Sequence, residues 1–334
     1  MTNFIEKSYI FFKREIVFSI SLILAIISCF FVKPSITYIN WNTIILLLVM
    51  MVIVEIFKNL FVFEILVRKL LTKIKNIRGF VFVMVFICFF SSIFLTNDIS
   101  LIIFVPFSIL ALKKINRVDL IILTVSLQTI AANVGCMVLP IGAPHNIVMY
   151  TISNLSFVSF FLLLLPYIFV SVIFLVVVLL FVPKDKIILS KMDKTEFVRE
   201  NFFKKILFGV DYYLLLTFIA LFILIGNLEN ISFFNLLFTK WIGGNEVLGS
   251  VVASQIISNV PTAILFSGFS NNYEAIIVGI NIGGFGTLIA SMANLISYKI
   301  LVREYNEFKI RYLIIFTVLN LILLVILLGI YVII

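Results

Sequence analysis

Residues 133–150 read NVGCMVLPIGAPHNIVMY, and residues 281–298 read NIGGFGTLIASMANLISY. The two segments align without a gap, at a separation of 148 residues in the chain. Their identical positions are Asn133 and Asn281, Gly135 and Gly283, Ile141 and Ile289, Asn146 and Asn294, and Tyr150 and Tyr298.

Both segments are hydrophobic and long enough to cross a bilayer, yet each carries helix-breaking residues half-way along. The first contains Pro140, Gly142 and Pro144, and the second contains a glycine cluster within residues 283–286. A break frees backbone N–H and C=O groups, which in lipid must line a cavity or hold a ligand. Paired hydrophobic segments interrupted at matching places therefore predict the binding site of a transporter.

The composition excludes a soluble protein. The chain is 63% hydrophobic and 12% charged, and its charges are clustered, leaving uncharged runs such as Ile16–Val32 and Ser153–Val182. Runs of this length are typical of membrane spans. We predict an all-α polytopic membrane protein in intimate contact with the lipid bilayer.

The net charge of +9 does not indicate a nucleic-acid partner, because the basic residues are confined to loops. They concentrate in residues 1–15, 58–78, 113–117, 184–205 and 299–311. Such a bias marks the cytoplasmic side of a membrane protein. It predicts a cytoplasmic N-terminus and an external C-terminus, in the inner or plasma membrane of a cell.

Enzyme and ATPase motifs are missing from the sequence. There is one histidine, no HExxH and no GxxxxGK[ST], which argues against a transition-metal site, a metalloprotease and primary active transport by this chain. The cysteines Cys29, Cys88 and Cys136 lie in apolar runs without a CxxC and are expected to be small buried hydrophobes. No cofactor is expected apart from Na⁺ or H⁺ as a coupling ion.

The order of apolar and polar segments predicts two inverted repeats. We expect an N-terminal span in residues 1–41, a first repeat in 42–182, a cytoplasmic linker in 183–210 and a second repeat in 211–334. Each repeat would hold three crossings, an odd number, so the second starts on the opposite side of the membrane. Residues 57–78 mix apolar and basic side chains and predict a helix lying in the inner interface.

Each repeat is also predicted to hold a re-entrant hairpin, in residues 79–112 and 245–270, followed by a broken helix, in 119–150 and 274–298. The hairpin limbs would be roughly 25, 21, 20 and 14 Å long at 1.5 Å per residue, short of the ~30 Å bilayer core. Two full spans per hairpin remain the alternative. The tips are Thr96-Asn97-Asp98 and Ser258-Asn259-Val260-Pro261.

The hairpin tips carry the candidate chemistry. Asp98 is the one carboxylate placed away from an interface, and an ionisable group inside the membrane indicates function; the alternative is a cap for the following helix. Asn97 and Asn259 occupy matching tips, where an amide can bind an anion or a cation without buried charge. His145 is a candidate for pH sensing, or alternatively a satisfied polar contact.

Four motifs together resemble the ion transporter superfamily of citrate and dicarboxylate carriers, arsenite permeases and some sodium–proton antiporters. They are Phe94-Leu-Thr-Asn-Asp98, Pro140-Ile-Gly-Ala-Pro-His-Asn146, Ser258-Asn-Val-Pro-Thr-Ala263 and Asn281-Ile-Gly-Gly-Phe-Gly-Thr-Leu-Ile-Ala-Ser291. The resemblance implies an elevator-type carrier, often a homodimer. Asp98 and Val260 stand where the sodium–dicarboxylate branch carries threonine, and Thr-Asn-Asp is closer to the arsenite- and citrate-permease-like branches.

These observations together predict a secondary active transporter of a small anion, a carboxylate or oxyanion, coupled to Na⁺ or H⁺. The alternatives are an arsenite or antimonite efflux permease and a Na⁺/H⁺ antiporter; a membrane enzyme and a passive channel are the rivals from other classes. The expected substrate-binding residues are Asn97, Asn259, Thr262, Gly142, Asn146, Gly286 and Thr287. The expected cation-binding or coupling residues are Thr96, Asn97, Asp98, Ser258, Asn259, Gly142 and Gly284.

Overall fold

A computed structural model describes residues 16–59, 74, 76–186 and 209–334 of the chain. The predicted basic N-terminus in residues 1–15, most of the predicted interfacial segment in 57–78 and most of the predicted linker in 183–210 lie outside these ranges. The described part is helical, with one isolated antiparallel bridge between Asn76 and Lys186.

Fourteen α-helices make up the described residues. Before residue 183 lie α1 (Ile16–Cys29), α2 (Trp41–Asn59), α3 (Ile77–Phe94), α4 (Asn97–Lys114), α5 (Ile121–Gly135), α6 (Pro144–Ser153) and α7 (Phe157–Leu180). After residue 210 lie α8 (Tyr212–Glu229), α9 (Ser232–Ile242), α10 (Glu246–Ile257), α11 (Asn259–Phe269), α12 (Tyr273–Gly283), α13 (Met292–Glu304) and α14 (Lys309–Ile333). Short 3₁₀ turns occupy Ile36–Tyr38, Val118–Leu120, Pro140–Gly142 and Asn306–Phe308.

The outside of the helix bundle is apolar. Within the described residues, five helical segments are long and apolar enough to cross a membrane: Ile77–Phe94, Val118–Gly135, Phe157–Leu180, Tyr212–Glu229 and Asn306–Ile333. Large aliphatic and aromatic side chains are exposed along α1, α7 and α14. A protein with so much exposed apolar surface would aggregate in water, so the architecture is that of a polytopic membrane protein.

Helices α3 and α4 form a hairpin that returns to the face from which it starts. At its beginning, the Ile77 amide donates to the Asp185 carbonyl (2.9 Å) and Arg78 Nε donates to the Val182 carbonyl (2.7 Å). Just beyond its end, Arg117 donates to the Asp185 carboxylate (2.6 Å). We call this side of the molecule, which also carries Lys113 and Lys114 at the end of α4, the basic face.

The limbs of this first hairpin are longer than the sequence predicted. Each has 18 residues, or about 27 Å, because regular helix continues to Ile77 at the start and to Lys114 at the end. The helical limbs therefore approach the ~30 Å thickness of the bilayer core. The length of the limbs therefore fits both a re-entrant hairpin and two full membrane spans.

Helices α10 and α11 form a second, shorter hairpin. They have 12 and 11 residues, about 18 and 16 Å, well below the ~30 Å core. The Ser270 hydroxyl donates to the Glu246 carboxylate at 2.9 Å, which joins the end of α11 to the start of α10. This hairpin also returns to its own side.

Two long apolar segments are interrupted where proline and glycine fall in the sequence. Helix α5 ends at Gly135 and α6 begins at Pro144, while α12 ends at Gly283 and α13 begins at Met292. We call residues 136–143 and 284–291 the first and second breaks. Helix α8 begins at Tyr212 and is capped by Asp211, whose carboxylate accepts from the Leu214 amide (3.0 Å).

Candidate functional site

The two hairpin tips and the two breaks lie together inside the bundle. Four helices begin there, because α4 starts at the first tip, α11 at the second tip, α6 after the first break and α13 after the second. Four others, α3, α5, α10 and α12, end at the same places. Helix N-termini attract anions and helix C-termini attract cations, so the junction offers both kinds of binding group.

The first tip is attached to the end of α5. Asn97 Nδ2 donates to Asn133 Oδ1 at 2.9 Å, and the Ser92 hydroxyl donates to the Ala132 carbonyl at 2.6 Å. Beside these bonds, Gly135 lies directly against the backbone of Phe89, and a Cβ on this glycine would overlap the Phe89 carbonyl oxygen. Only glycine permits such a close approach of two backbones.

The second tip is attached to the second break. The Asn259 amide N–H donates to the Ala290 carbonyl at 3.0 Å. Gln255 Nε2 donates to the carbonyls of Gly283 (2.8 Å) and Phe285 (3.0 Å), while its Oε1 accepts from the Thr287 amide (2.9 Å). One glutamine side chain thus satisfies three backbone groups that the interrupted helix leaves free.

Two asparagine bridges join the helices that flank the breaks in the two halves. Asn133 Nδ2 donates to Asn294 Oδ1 at 2.8 Å, and Asn281 Nδ2 donates to Asn146 Oδ1 at 2.7 Å. All four side chains are buried. In the sequence alignment Asn133 matches Asn281 and Asn146 matches Asn294, so each bridge is the counterpart of the other.

The same asparagines brace the breaks. Asn146 Nδ2 donates to the Cys136 carbonyl, and Asn294 Nδ2 donates to the Gly284 carbonyl, both at 3.0 Å. Cys136 and Gly284 are also matched positions. Both the oxygen and the nitrogen of the Asn146 side-chain amide therefore form hydrogen bonds within the protein. This residue, predicted as a substrate ligand, also holds the first break in place.

Asp98 carries a carboxylate oxygen that is unused within the described residues. Its Oδ1 is buried and has no hydrogen-bond partner there. Thr96 occupies the N-cap position of α4 and makes no side-chain cap bond, and Asn97 Oδ1 accepts from the Asp98 amide at 3.0 Å. The alternative in which Asp98 caps this helix is therefore not what the structure has, and Oδ1 is free to accept from a ligand.

The second tip carries an unused donor. Asn259 is buried, and its Nδ2 lies 3.4 Å from the place where a Cβ on Gly284 would stand, without a hydrogen-bond acceptor among the described residues. The preceding residue, Ser258, has φ 73° and ψ 156°, a conformation that is essentially restricted to glycine and costs about 1–3 kcal/mol. Strain of this kind at a tip is typical of functional sites.

The hydroxyl groups predicted as ligands lie at the junction, where they donate hydrogen bonds to backbone carbonyls of the protein itself. Thr262 Oγ1 donates to the Ser258 carbonyl at 2.8 Å, and Thr287 Oγ1 donates to the Gln255 carbonyl at 3.3 Å. Each oxygen keeps lone pairs for a cation. The Thr96 side chain lies at the first tip and is partly exposed.

The predicted glycines allow close backbone contacts in the breaks. A Cβ on Gly142 would stand 2.6 Å from Cys136 Cα, and Gly286 has φ 114°, which other residues rarely adopt. His145 is buried, and its Nε2 lies 3.4 Å from Asn281 Oδ1. Within the described residues there is no cluster of three or more His, Cys, Asp or Glu side chains able to hold a metal.

Sequence reasoning missed four residues that organise the junction: Asn133, Asn281, Asn294 and Gln255. The asparagines were visible as matched positions of the repeat, and that match was the signal. Gln255 had no signal of its own, because its counterpart in the first half is not a glutamine and its partners lie about 30 residues away in the chain.

Comparison with known proteins gives relatives over most of the chain. An uncharacterized transporter of Methanocaldococcus jannaschii is 31% identical over 290 residues, covering 78% of this chain and 81% of that protein. The inner membrane protein YbiR of Escherichia coli is 28% identical over 311 residues, covering 78% and 80%. A Dictyostelium discoideum protein, named provisionally as the transporter arsB, is 36% identical over 126 residues, covering 37% and 22%.

A family model described as citrate transporter matches residues 9–271, which include both hairpins and the first break. The match agrees with the four motifs that resemble the ion transporter superfamily, and a family of carriers indicates a transporter and not an enzyme. The chain belongs to the citrate transporter family, within the ion transporter superfamily, and is an integral membrane protein.

Proposed function

We propose that this protein is a secondary active transporter that moves a small anion, a carboxylate or an oxyanion, across the membrane by alternating access, coupled to Na⁺ or H⁺. One observation carries the proposal. Each hairpin tip presents one polar atom without a hydrogen-bond partner among the described residues. At the first tip it is an acceptor, Asp98 Oδ1, and at the second it is a donor, Asn259 Nδ2. The first suits a cation or a proton, and the second suits an anion.

The site has to hold an anion without basic side chains. Residues 79–112, 118–183 and 241–298 contain no lysine or arginine. Helix N-termini, which bind anions through free N–H groups, would supply the positive potential, together with Asn259, Gly286 and Thr287. We assign the cation or proton to Asp98 with Thr96, Asn97 and backbone oxygens near Gly142, and a second cation to Ser258, Thr262 and Gly284.

We propose an elevator mechanism built on two inverted repeats, in which a part of each repeat moves together across the membrane. Three contacts of the first half recur in the second: the asparagine bridges, the braces to the Cys136 and Gly284 carbonyls, and the contact of Gly135 with Phe89, which matches that of Gly283 with Val251. Two hairpins and two broken helices joined in this way support a single moving body. The helices around them would form the scaffold.

Orientation and assembly are part of the proposal. The basic face would lie in the cytoplasm, with the N-terminus on that side and the C-terminus outside. The membrane would be the inner or plasma membrane, in keeping with the name of the Escherichia coli relative. We propose a homodimer, as the family resemblance implies.

A ligand screen on purified protein tests the proposal. Thermal unfolding is measured with citrate, succinate, sulfate, phosphate and arsenite, each in Na⁺ or K⁺, since a ligand bound only to the folded state raises its stability. We expect one anion to stabilise the wild type, with the shift lost in Asn259→Ala and kept in Asn271→Ala, an exposed control on the loop after α11. No anion effect in any cation would refute anion transport.

The free Asp98 carboxylate also favours one rival, a Na⁺/H⁺ antiporter. Stability that follows Na⁺ and pH alone, and that loses this dependence in Asp98→Asn, would support that reading. An efflux permease for arsenite or antimonite is the second rival, to which the partial match with arsB points. Proteoliposomes that accumulate arsenite and ignore carboxylates would support it.

A further inference from the structure

A polar cavity lies away from the hairpin tips, on the side opposite the basic face. Its volume is about 620 Å³. It is open to the outside and is lined by the connection between α1 and α2, the start of α2, the end of α6, the last turns of α8 and the second half of α11. All of these segments end on the side that lacks lysine and arginine clusters.

Glu229 is the one acidic or basic side chain among the residues that line this cavity. It is half-buried in the last turn of α8, and its carboxylate makes no hydrogen bond or ion pair within the described residues. One of its oxygens lies against Gly268 of α11, where no Cβ would fit. A partly buried carboxylate without a partner is costly unless a cation compensates it.

The remaining polar groups of the cavity supply oxygen atoms. They come from Thr37, Tyr38, Asn40, Asn42 and Ser267. Asn230 Nδ2 donates to the Tyr38 hydroxyl at 3.2 Å and to the Gly226 carbonyl at 2.7 Å, which fixes the tyrosine oxygen beside α8. Oxygen ligands are those that hard cations prefer, and one carboxylate among neutral oxygens suits a monovalent ion better than Ca²⁺, which takes more carboxylates.

We propose that this cavity is an alkali-cation site, with Glu229 as its charged ligand, separate from the junction of tips and breaks. A cation bound there neutralises the negative charge of Glu229, the one charged side chain that lines the cavity. Without it, that charge repels an approaching anion, and more strongly where solvent is excluded. The inference goes beyond the proposed function and does not depend on which anion is carried.

The chain offers a built-in probe for this site. Trp41 lines the cavity, and the only other tryptophan is Trp241. In a Trp241→Phe variant of the full chain, Trp41 emission is titrated with NaCl against choline chloride at constant ionic strength. We expect a saturable change in emission whose midpoint rises at least tenfold in Glu229→Gln.

Three further variants make the result decisive. Glu274→Gln, an exposed acid at the start of α12 on the same side, and Asp98→Asn should leave the Trp41 titration unchanged. Glu229→Asp keeps the charge on a shorter side chain and should weaken binding without abolishing saturation, which covers a failure of Glu229→Gln to fold. No emission change with Na⁺, an unchanged midpoint in both Glu229 variants, or loss of the response in Asp98→Asn would overturn the proposal.

Discussion

Replacing Gly135 by alanine tests the contact that joins the first hairpin to the first broken helix. The added Cβ would stand 3.0 Å from the carbonyl carbon and 3.1 Å from the Cα of Phe89, and closer still to the carbonyl oxygen. These are backbone atoms of α3, which cannot rotate away as a flexible side chain would. Overpacking of this kind costs about 1–3 kcal/mol.

The same substitution has an opposing effect, because alanine favours a helix over glycine by about 0.5–1 kcal/mol. We therefore expect a net loss of roughly 0.5–2 kcal/mol. Gly329→Ala in α14 is the matched control, since a Cβ there meets nothing within 4 Å. It carries the gain in helix propensity without the clash and should not lower stability.

The assay is thermal unfolding of the purified protein in detergent, followed by tryptophan fluorescence. Gly135→Ala should unfold at a lower temperature than wild type, and Gly329→Ala at the same or a higher one. If Gly135→Ala unfolds at or above the temperature of Gly329→Ala, the backbone contact between α3 and α5 does not hold the first tip in place. The first hairpin and the first broken helix would then not move as one body.

Three further predictions concern the junction. Asn133→Ala and Asn294→Ala, combined in a double-mutant cycle, should show a coupling of about 0.6–1.7 kcal/mol, the range of hydrogen bonds between membrane helices. Ser258→Gly should raise the free energy of unfolding by about 0.5–2 kcal/mol, since glycine removes the backbone strain. Gln255→Leu should lower it by about 1–3 kcal/mol, because the Thr287 amide then has no acceptor from that side chain.

Each of these has a control in the same unfolding assay. Asn133→Ala combined with Asn271→Ala, on an exposed loop, should be additive, and equal coupling in the two cycles would remove the case for a bridge. Ser258→Ala keeps the unfavourable backbone and should gain nothing; equal stability of the alanine and glycine variants contradicts the strain argument. Gln255→Leu as stable as wild type would mean that the second break is held without that glutamine.

Local chemistry explains why the helix boundaries could be predicted. Pro140, Pro144 and the clustered glycines of the second break are unfavourable inside a helix, and the breaks fall at these residues. Proline alone does not decide, since Pro106 lies inside α4 and Pro166 inside α7. Asp211 caps α8 for the same local reason. The first hairpin differed because its limb lengths depend on where tertiary contacts, such as that of Ile77 with Asp185, end the helix.

Long-range partners explain what the sequence did not reveal. The bridges join residues 161 and 135 positions apart, and no local pattern indicates which buried asparagine meets which. The repeat alignment could have supplied this, since a matched buried polar residue in each half needs a partner. Gln255 had no such help, because the two breaks are stabilised by different side chains.

The two halves of the junction match in geometry and differ in charge. At the tips, Asp98 of the first half stands opposite Val260 of the second, and in the breaks His145 is matched by Ala293. The asparagine bridges hold both halves in equivalent positions, so these exchanges alter the chemistry without altering the frame. A cation bound at the first tip meets a carboxylate, whereas one bound at the second meets only neutral oxygens and the field of helix ends. Among the tips and breaks, only Asp98 and His145, both in the first half, can take up a proton, so we propose that any exchange of Na⁺ for H⁺ takes place at the first tip.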